Sequence, residues 1–369
     1  MMLKRFIQKI YPKRFHTHWN ELKKNKNYNL DEDLKFLTDN FIKSKSYQFV
    51  SNFWHILNIM NYNQLNKFGL KKFGSTVAQN YFTFKDFDEA NIKESLDKIK
   101  NKSIKFSANF FKIHNNFSYK ESLNYNLICL ILFYNLVDKE CYKYLKNLQD
   151  KTYLGYDDPY IELDNFKITI DKLVSLLDFD KINCAFDLDK VKSIIEIGAG
   201  SGRTAEAILS IKNDIKYVIC DIPPALYISF KRLKSAYPNK KISHLVDIQN
   251  KDQLNQQIRE NDISFIYPHQ MELISNKTFD LTVAIDCLHE MDKKTIAFYF
   301  KNINNLSKAF YCSIWEKSKN NYSKTLFKKS EKLDFNKGDY NMPNNWSNNF
   351  KENLVFPANQ LSLGFEIKN

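Results

Sequence analysis

The stretch "SIIEIGAGSGRT", residues 193–204, places an apolar run, a carboxylate and three alternating glycines in immediate succession. The short apolar run predicts a buried strand, and the residues after the glycines predict a helix. Glycines between a strand and a helix let the backbone turn sharply and approach a ligand closely. The stretch therefore predicts a ligand-binding loop at the end of a buried strand.

The spacing of the glycines separates two kinds of ligand. Gly198, Gly200 and Gly202 stand at every second position. A dinucleotide-binding fingerprint has the form G-x-G-x-x-G, and its third glycine would fall at Arg203. That fingerprint also leaves Glu196, at the end of the strand, without a role. The loop therefore does not match a dinucleotide-binding site.

The complete pattern E-x-G-x-G-x-G resembles motif I of the Rossmann-like S-adenosylmethionine-dependent methyltransferases. The resemblance implies that the glycines make room for the methionine portion and the ribose of the cofactor. It also implies that Glu196 orients backbone and ammonium contacts. A tight turn between a strand and a helix is the alternative interpretation of the glycines alone.

A second signal is the acid that ends the next predicted strand, "KYVICD", residues 216–221. A carboxylate at this position can accept hydrogen bonds from both ribose hydroxyls, and one helix separates it from the glycine loop. Alone, Asp221 is equally compatible with a helix cap before Pro223. Together, loop and acid predict S-adenosyl-L-methionine as the cofactor.

Alternating strands and helices continue through the second half of the chain. Predicted strands are "VKSIIEI", "KYVICD", "ISFIYP", "FDLTVAID" and "AFYCSIW"; predicted helices are 204–211, "ALYISFKRL" and "KTIAFYFKNINNL". Such alternation predicts a parallel sheet covered by helices on both faces. Residues 350–369 are candidates for additional edge strands.

Several stretches together are similar to a sugar O-methyltransferase family found in bacterial surface-glycan gene clusters. They are "IIEIGAGSGR", "YVICDIPPALYISFKRL", "FIYPHQMEL", "FDLTVAIDCLHEM" and "GDYNMPNNW", and the similarity covers roughly residues 155–350. It implies an α/β fold, a Rossmann-like class I methyltransferase domain, and methylation of a sugar hydroxyl in polysaccharide synthesis. "DCLHEM" departs from that family, in which an Asn and a Gln are nearer the norm than Asp286 and His289.

Two adjacent residues are the catalytic candidates. The predicted strand "FDLTVAID" delivers "CLHEMD" to the carboxyl edge of the sheet, where ligands of parallel sheets bind. His289 could accept the proton of an attacking hydroxyl, since an imidazole titrates near neutral pH. Glu290 could hold the imidazole or act as the base itself. "LHEMD" resembles the "HDW" stretch of small-molecule O-methyltransferases, in which the histidine is the base; a helix cap is the alternative for His289.

The predicted cofactor site collects residues from the ends of several strands. Its members are Glu196, Gly198, Ala199, Gly200, Gly202, Asp221, Ile222, His269, Gln270 and Asp286. His269 and Gln270 follow the third strand, where side chains usually reach the adenine; two exposed loop residues are the alternative. Trp315, Tyr340 and Trp346 are candidates for an acceptor pocket, although core packing suits each of them alone.

The first part of the chain predicts helices without a catalytic motif. Phe49, Phe53, Ile56, Leu57 and Met60 recur at helical spacing, and "SLNYNLICLILFYNLV" predicts a more buried helix. The punctuation cluster "GYDDPYIELDN" marks a boundary, and "KITIDKLVSLLDF" predicts one helix after it. We therefore expect a helical domain at 1–154, acting as an active-site lid or a dimer contact, and a methyltransferase domain at 155–369.

Charge and composition limit the partners. The net charge is +13, yet no dense basic run with interleaved aromatics occurs, so we expect no nucleic-acid partner. An acidic or nucleotide-bearing substrate suits the charge, and a nucleotide-linked sugar, a lipid-linked glycan and a polymer stay open as acceptors. An RNA methyltransferase would require a separate RNA-binding module or an N/D-P-P-Y-type catalytic motif, and the sequence shows neither.

Cysteine usage and the apolar runs indicate the compartment. None of the six cysteines forms a Cys-x-x-Cys pair, which favours a reducing cytoplasm and no cysteine-based metal site. No His/Asp/Glu cluster has metal-ligand spacing either, so we expect no metal, and assistance by a divalent metal stays open. The first residues lack a secretory signal, and the helical face of Leu3, Phe6, Ile7 and Ile10 allows at most peripheral membrane contact. Two other functions stay open: methylation of another small hydroxylated metabolite, and S-adenosylmethionine binding without catalysis.

Overall fold

The structure is a computed structural model that describes most of the second half of the chain and parts of the first half. The described residues are 19–20, 31–73, 93, 119–137, 139–149, 159–163, 166–315, 317–318, 335–336, 340–354 and 360–368. The amphipathic segment at 3–10 and part of the predicted boundary at 155–165 lie outside them.

The first half is helical where it is described. Its helices are α1 (Glu32–Lys43), α2 (Asn52–Phe68), α3 (Tyr119–Val137) and α4 (Leu145–Gln149), with 3₁₀ turns at Ser46–Phe49, Leu70–Lys72 and Glu140–Tyr144. The side chain of Ser51 caps α2 by accepting a hydrogen bond from the backbone of Trp54, and Gly69 ends the helix with φ +68°. The helices predicted at 49–60 and 122–137 are present, although Phe49 lies in the preceding 3₁₀ turn.

The segment predicted as one helix from 167 to 179 begins differently. Strand β1 (Ile161–Leu163) pairs antiparallel with β2 (Phe166–Ile168), and helix α5 (Ile170–Phe186) begins only afterwards. The hydroxyl of Thr169 accepts a hydrogen bond from the backbone of Lys172 and so fixes the helix start. The prediction was wrong for 167–169, because the β-branched residues there satisfy a strand as well as a helix.

The second half contains one seven-stranded sheet. Its strands are β3 (Ser193–Ile197), β4 (Lys216–Cys220), β5 (Ile263–Ile266), β6 (Phe279–Ile285), β7 (Ser307–Trp315), β10 (Trp346–Leu354) and β11 (Gln360–Ile367); β8 (Lys317–Ser318) and β9 (Phe335–Asn336) pair separately. The connecting helices are α6 (Arg203–Ile211), α7 (Ala225–Ala236), α8 (Lys251–Glu260) and α9 (Lys293–Leu306), with 3₁₀ turns at Pro268–Leu273 and Leu288–Glu290. The five predicted strands and three predicted helices are all present.

The strand order is β10-β11-β7-β6-β3-β4-β5. Strands β3, β4, β5, β6 and β7 are parallel to one another, whereas β11 is antiparallel to both β7 and β10. The C-terminal residues thus add two strands, as predicted for 350–369, but only β10 lies at the edge of the sheet, and it begins slightly earlier, at Trp346. The apolar core lies in two clusters, each formed by one face of the sheet and the helices that cover it.

The N-terminal helical region packs near the carboxyl ends of the parallel strands. The hydroxyl of Tyr267, just after β5, donates to the backbone carbonyl of Leu37 in α1 at 2.8 Å. The ring of Phe49 stacks on Phe298 of α9 with centroids 4.2 Å apart. We call the region formed by α1, α2 and the turn between them the cap. In the described part of the chain, no helix is long and apolar enough to cross a bilayer.

Candidate active site

The glycine loop follows β3 and leads into α6. Gly198 has φ +67° and Gly200 has φ +59°, a backbone region that side chains rarely adopt. A Cβ at position 198 would lie 2.6 Å from the Cβ of Cys287, so only glycine fits between β3 and the end of β6. A Cβ at position 200 would meet no atom within 4 Å. The backbone at Gly200 is therefore the part of the loop that a ligand can reach. Ala199 between them is buried, and Gly202 starts α6.

The carboxylate of Asp221 is hydrogen-bonded to this loop. Its Oδ2 accepts from the backbone of Gly200 at 2.7 Å, and its Oδ1 accepts from the backbone of Ile222 at 2.7 Å. Burial raises the pKa of Asp221 to about 7, and the two backbone donors act against that rise. Each carboxylate oxygen can accept a second hydrogen bond. The loop and the predicted acid thus form one unit, with the acid beside the accessible glycine.

Glu196 is buried in the sheet, where sequence reasoning missed its partner. It is 2% exposed and accepts a hydrogen bond from the hydroxyl of Tyr217 at 2.9 Å, on the neighbouring strand. Burial raises the pKa of Glu196 to about 8. The next residue after the glycines, Arg203, forms an ion pair with Asp178 at 2.6 Å and so ties the loop to α5.

Asp286 lies at the carboxyl end of β6 with φ +53°. Its Oδ1 accepts from the amide of Gln360, the first residue of β11, at 2.5 Å. The pKa of Asp286 is raised to about 7, first by burial and then by the carboxylate of Asp178, while Arg203 acts to lower it. A second predicted acid therefore stands beside the glycine loop, held by a residue from the end of the chain.

His289 and Glu290 lie in the 3₁₀ turn that follows. The ring of His289 stacks on Trp315 with centroids 4.7 Å apart, and its buried Nδ1 has no hydrogen-bond partner among the described residues. Burial lowers the pKa of His289 to about 3. The Oε2 of Glu290 accepts from the indole of Trp54 in the cap at 3.0 Å. Its pKa is raised to about 8, first by burial and next by Asp286.

The residues predicted to contact adenine have partners within the chain. The Nδ1 of His269 lies 2.9 Å from the hydroxyl of Ser46 in the cap, and its Nε2 lies 2.9 Å from Asp247. Gln270 is fully buried: its Oε1 accepts from the backbone of Tyr267, and its Nε2 donates to the carbonyl of Ile248. Both residues therefore shape the turn after β5, and contact with adenine stays a prediction.

The three aromatic candidates for an acceptor pocket divide between two locations. Trp315 faces His289, as described above. Trp346 packs among Phe300, Phe310 and Phe365, and Tyr340 is 1% exposed, so these two belong to the core. Core packing was the preferred interpretation of each residue taken alone, and it holds for Tyr340 and Trp346.

Four buried carboxyl groups make folding depend on pH. The pKa values of Glu196 and Glu290 are raised from 4.5 to about 8, and those of Asp221 and Asp286 from 3.8 to about 7. Between the lower and the raised pKa of each group, the folded chain binds more protons than the unfolded chain. The free energy of unfolding therefore falls as the pH rises through this range. We expect the melting temperature of the ligand-free protein to drop from about pH 5 to about pH 8.5. Glu290→Gln should show a shallower fall, and a wild-type melting temperature that rises across this range would contradict the prediction.

The described residues contain no cluster of three or more His, Cys, Asp or Glu side chains that could hold a metal ion. The site is instead built from carboxyl groups, one imidazole and aromatic rings at the carboxyl ends of β3, β4 and β6. Such a set suits a cationic organic ligand better than an anionic one.

The strand order now identifies the fold. Five parallel strands run β5-β4-β3-β6-β7, the glycine loop follows the central one, and the reversed β11 stands between β7 and β10. This is the Rossmann-like class I methyltransferase fold. Several solved structures of methyltransferases resemble it at low sequence identity.

The methyltransferase domain of bacterial CtHen1 is 14% identical, covers 50% of this chain and 95% of its own, and has a TM-score of 0.33. Human N-acetylserotonin methyltransferase, solved with S-adenosylmethionine, is 13% identical over 54% of each chain, with a TM-score of 0.33. An O-methyltransferase family protein from Burkholderia thailandensis is 11% identical over 54% of this chain and 58% of its own, again with a TM-score of 0.33. No family model and no curated protein sequence matches the chain.

Proposed function

We propose that this chain is an S-adenosylmethionine-dependent O-methyltransferase that methylates a sugar hydroxyl in the synthesis of a surface glycan. The observation that carries the proposal is the hydrogen bond between Asp221 and the backbone of Gly200, because it joins the two predicted cofactor elements into one site. The sugar acceptor rests on the similarity of residues 155–350 to the glycan-cluster family. Another small hydroxylated metabolite is the alternative acceptor.

The residues present fit the cofactor. The accessible backbone at Gly200 leaves space for the methionine portion, and the second lone pairs of the Asp221 carboxylate suit the ribose hydroxyls. A cation nearby would favour the ionised forms of the Asp286 and Glu290 carboxyl groups. Ile222 follows β4 and His269 follows β5, at the same edge of the sheet. When bound, S-adenosylmethionine supplies an electrophilic methyl group on a positively charged sulfur.

The chain's own contribution is to position the acceptor and to remove its proton. A general base works best with a pKa near the operating pH. The Glu290 carboxyl, with a pKa of about 8, meets that condition, whereas the imidazole of His289, with a pKa of about 3, is a weak base. We therefore assign proton removal to Glu290, oriented by Trp54. His289, neutral at pH 7, offers its Nδ1 to the acceptor as a hydrogen-bonding group.

The cap has a place in this mechanism. Trp54 reaches Glu290, Ser46 reaches His269, and Lys231 of α7 pairs with Asp33 of α1 at 2.5 Å. These contacts support a role of the cap as a lid that excludes water from the site and orients Glu290 through Trp54. A role of the helical region in a homodimer stays part of the proposal.

Cofactor binding gives the direct test of this proposal. We expect the purified protein to bind S-adenosylmethionine or S-adenosylhomocysteine at about micromolar affinity, roughly −8 kcal/mol, and to show no binding of NAD. Isothermal calorimetry with all three ligands measures this. The expectation about NAD follows from position 203, which holds arginine where a dinucleotide loop requires glycine. The absence of heat with both sulfur ligands would refute the proposed function.

A further inference from the structure

One buried amide in the cap has no hydrogen-bond partner among the described residues. Asn58 of α2 is 1% exposed, and neither its Nδ2 nor its Oδ1 has a hydrogen-bond partner in the part of the chain that the structure describes. Buried polar groups in native proteins are nearly always satisfied, so each exception calls for a physical explanation. Among the described residues, Asn58 is the one whose two amide atoms are both buried and unpaired.

The position of Asn58 on α2 relates it to the site. Trp54 precedes it by one helical turn, and residues four apart lie on the same face of a helix. The indole of Trp54 donates to Glu290, and Trp54 and Leu57 pack against the core cluster that contains Leu288. The neighbouring part of the helix surface carries Tyr62, whose ring packs on Trp19 from the segment before α1. Asn58 therefore lies beside the face that α2 presents to the candidate base.

A second unpaired atom belongs to the residue that precedes the acceptor of this hydrogen bond. The Nδ1 of His289 is buried without a partner among the described residues, and His289 immediately precedes Glu290. The Trp54–Glu290 hydrogen bond thus has an unpaired amide one turn away on the cap and an unpaired imidazole nitrogen adjacent on the sheet side. Two such groups, from elements more than 200 positions apart, need a ligand that carries several polar groups.

The chemistry of an amide narrows the ligand class. A side-chain amide donates from its nitrogen and accepts at its oxygen at the same time. Two adjacent hydroxyls match it, since one can accept while the other donates. A monohydric phenol offers a single hydroxyl and leaves one amide atom unpaired. A saccharide carries adjacent hydroxyls and further ones for the Nδ1 of His289.

We propose that Asn58 is a specificity-determining residue that binds two adjacent hydroxyls of a saccharide acceptor. This inference rests on the proposed function and specifies how its acceptor is recognised. The cap then supplies both the group that orients the base, Trp54, and the group that selects the acceptor, Asn58. The reacting hydroxyl lies next to Glu290, which takes its proton.

The test uses Asn58→Leu in the full chain. Leucine has nearly the same shape and removes both unpaired atoms, so we expect an equal or higher melting temperature. We expect saccharide affinity to fall about tenfold to hundredfold, the effect of two lost hydrogen bonds, with S-adenosylmethionine affinity unchanged. If Asn58 had only a structural role, Asn58→Leu would lower the melting temperature and leave the saccharide affinity unchanged. Asn302→Leu is the matched control: its buried amide donates to the carbonyl of Phe298 at 2.9 Å, so this variant should lose stability and keep saccharide affinity.

Saccharide binding is measured by saturation-transfer NMR in the presence of S-adenosylhomocysteine. The probes are hexose methyl glycosides, nucleoside-diphosphate hexoses and monohydric phenols. Binding of either sugar set by the wild type, weakened in Asn58→Leu, supports the inference, and the two sets distinguish a free from a nucleotide-linked acceptor. Equal sugar binding by both proteins, binding of phenols alone, or no binding of any probe overturns it. Should Asn58→Leu not fold, Asn58→Ala takes its place with the same expected loss. If calorimetry detected no binding of S-adenosylmethionine, this result would instead refute the proposed function.

Discussion

Glu290→Gln is expected to slow methyl transfer by about a hundredfold to ten-thousandfold, the usual effect of removing a positioned general base. Glutamine retains an oxygen that can accept from the indole of Trp54, so the position of the side chain is preserved while its basicity is lost. The affinity for S-adenosylmethionine should stay within a small factor of the wild type. Single-turnover kinetics with labelled cofactor measures the transfer step separately from binding.

His289→Gln is the comparison that distinguishes the two candidates. Because burial lowers the pKa of the imidazole to about 3, we expect His289 to act by hydrogen bonding, which glutamine can also provide. Most of the rate should therefore remain. The wild-type rate should rise with pH up to about 8, the pKa of Glu290, because the ionised carboxylate accepts the proton. A large loss in His289→Gln with little loss in Glu290→Gln would transfer the role of base to the histidine.

Asp221→Ala is expected to weaken S-adenosylmethionine binding by about 1.5–3 kcal/mol, the range for hydrogen bonds to a charged group. The change removes the acceptor for the ribose hydroxyls and also the bond that holds the backbone of Gly200. Calorimetry at a fixed pH measures the affinity. Asp214→Ala is the matched control, since this acid precedes the same strand at its opposite end and pairs there with Lys192. Equal affinities of Asp221→Ala and the wild type would remove Asp221 from the site.

Local sequence patterns predicted the parts of the fold that are formed locally. The stretch 193–204 contains a strand, a turn and a helix within twelve positions, and each is present. Helix α8 was missed because its sequence, "KDQLNQQIRE", is mostly polar. Its only apolar residues, Leu254 and Ile258, are both buried, but two residues are too few to show a helical period. The helix start at 167 was wrong because a paired strand competes with it, and pairing is not visible in a local window.

The hydrogen-bond partners of the predicted site residues could not be predicted from the sequence. Trp54 and Glu290 are 236 positions apart, and Gln360 and Asp286 are 74 apart. No spacing rule relates such pairs, since only the packing of the cap and the reversed β11 bring them together. The raised pKa of Glu290 and the lowered pKa of His289 likewise follow from burial. Sequence alone could therefore name both candidates for the base, but the burial that separates them is a property of the fold.

The reversed strand β11 has a consequence for the order in which the candidate site forms during protein synthesis. Gln360, its first residue, reaches Asp286, and the strand inserts between β7 and β10. During synthesis the glycine loop and the acid after β4 emerge long before this strand does. Contacts so distant along the chain form slowly, because loop closure precedes the stabilisation that they provide. A nascent chain that has not yet reached residue 360 thus contains the glycine loop and Asp221 but lacks the residue that holds Asp286, so the candidate site is assembled only after β11 has joined the sheet.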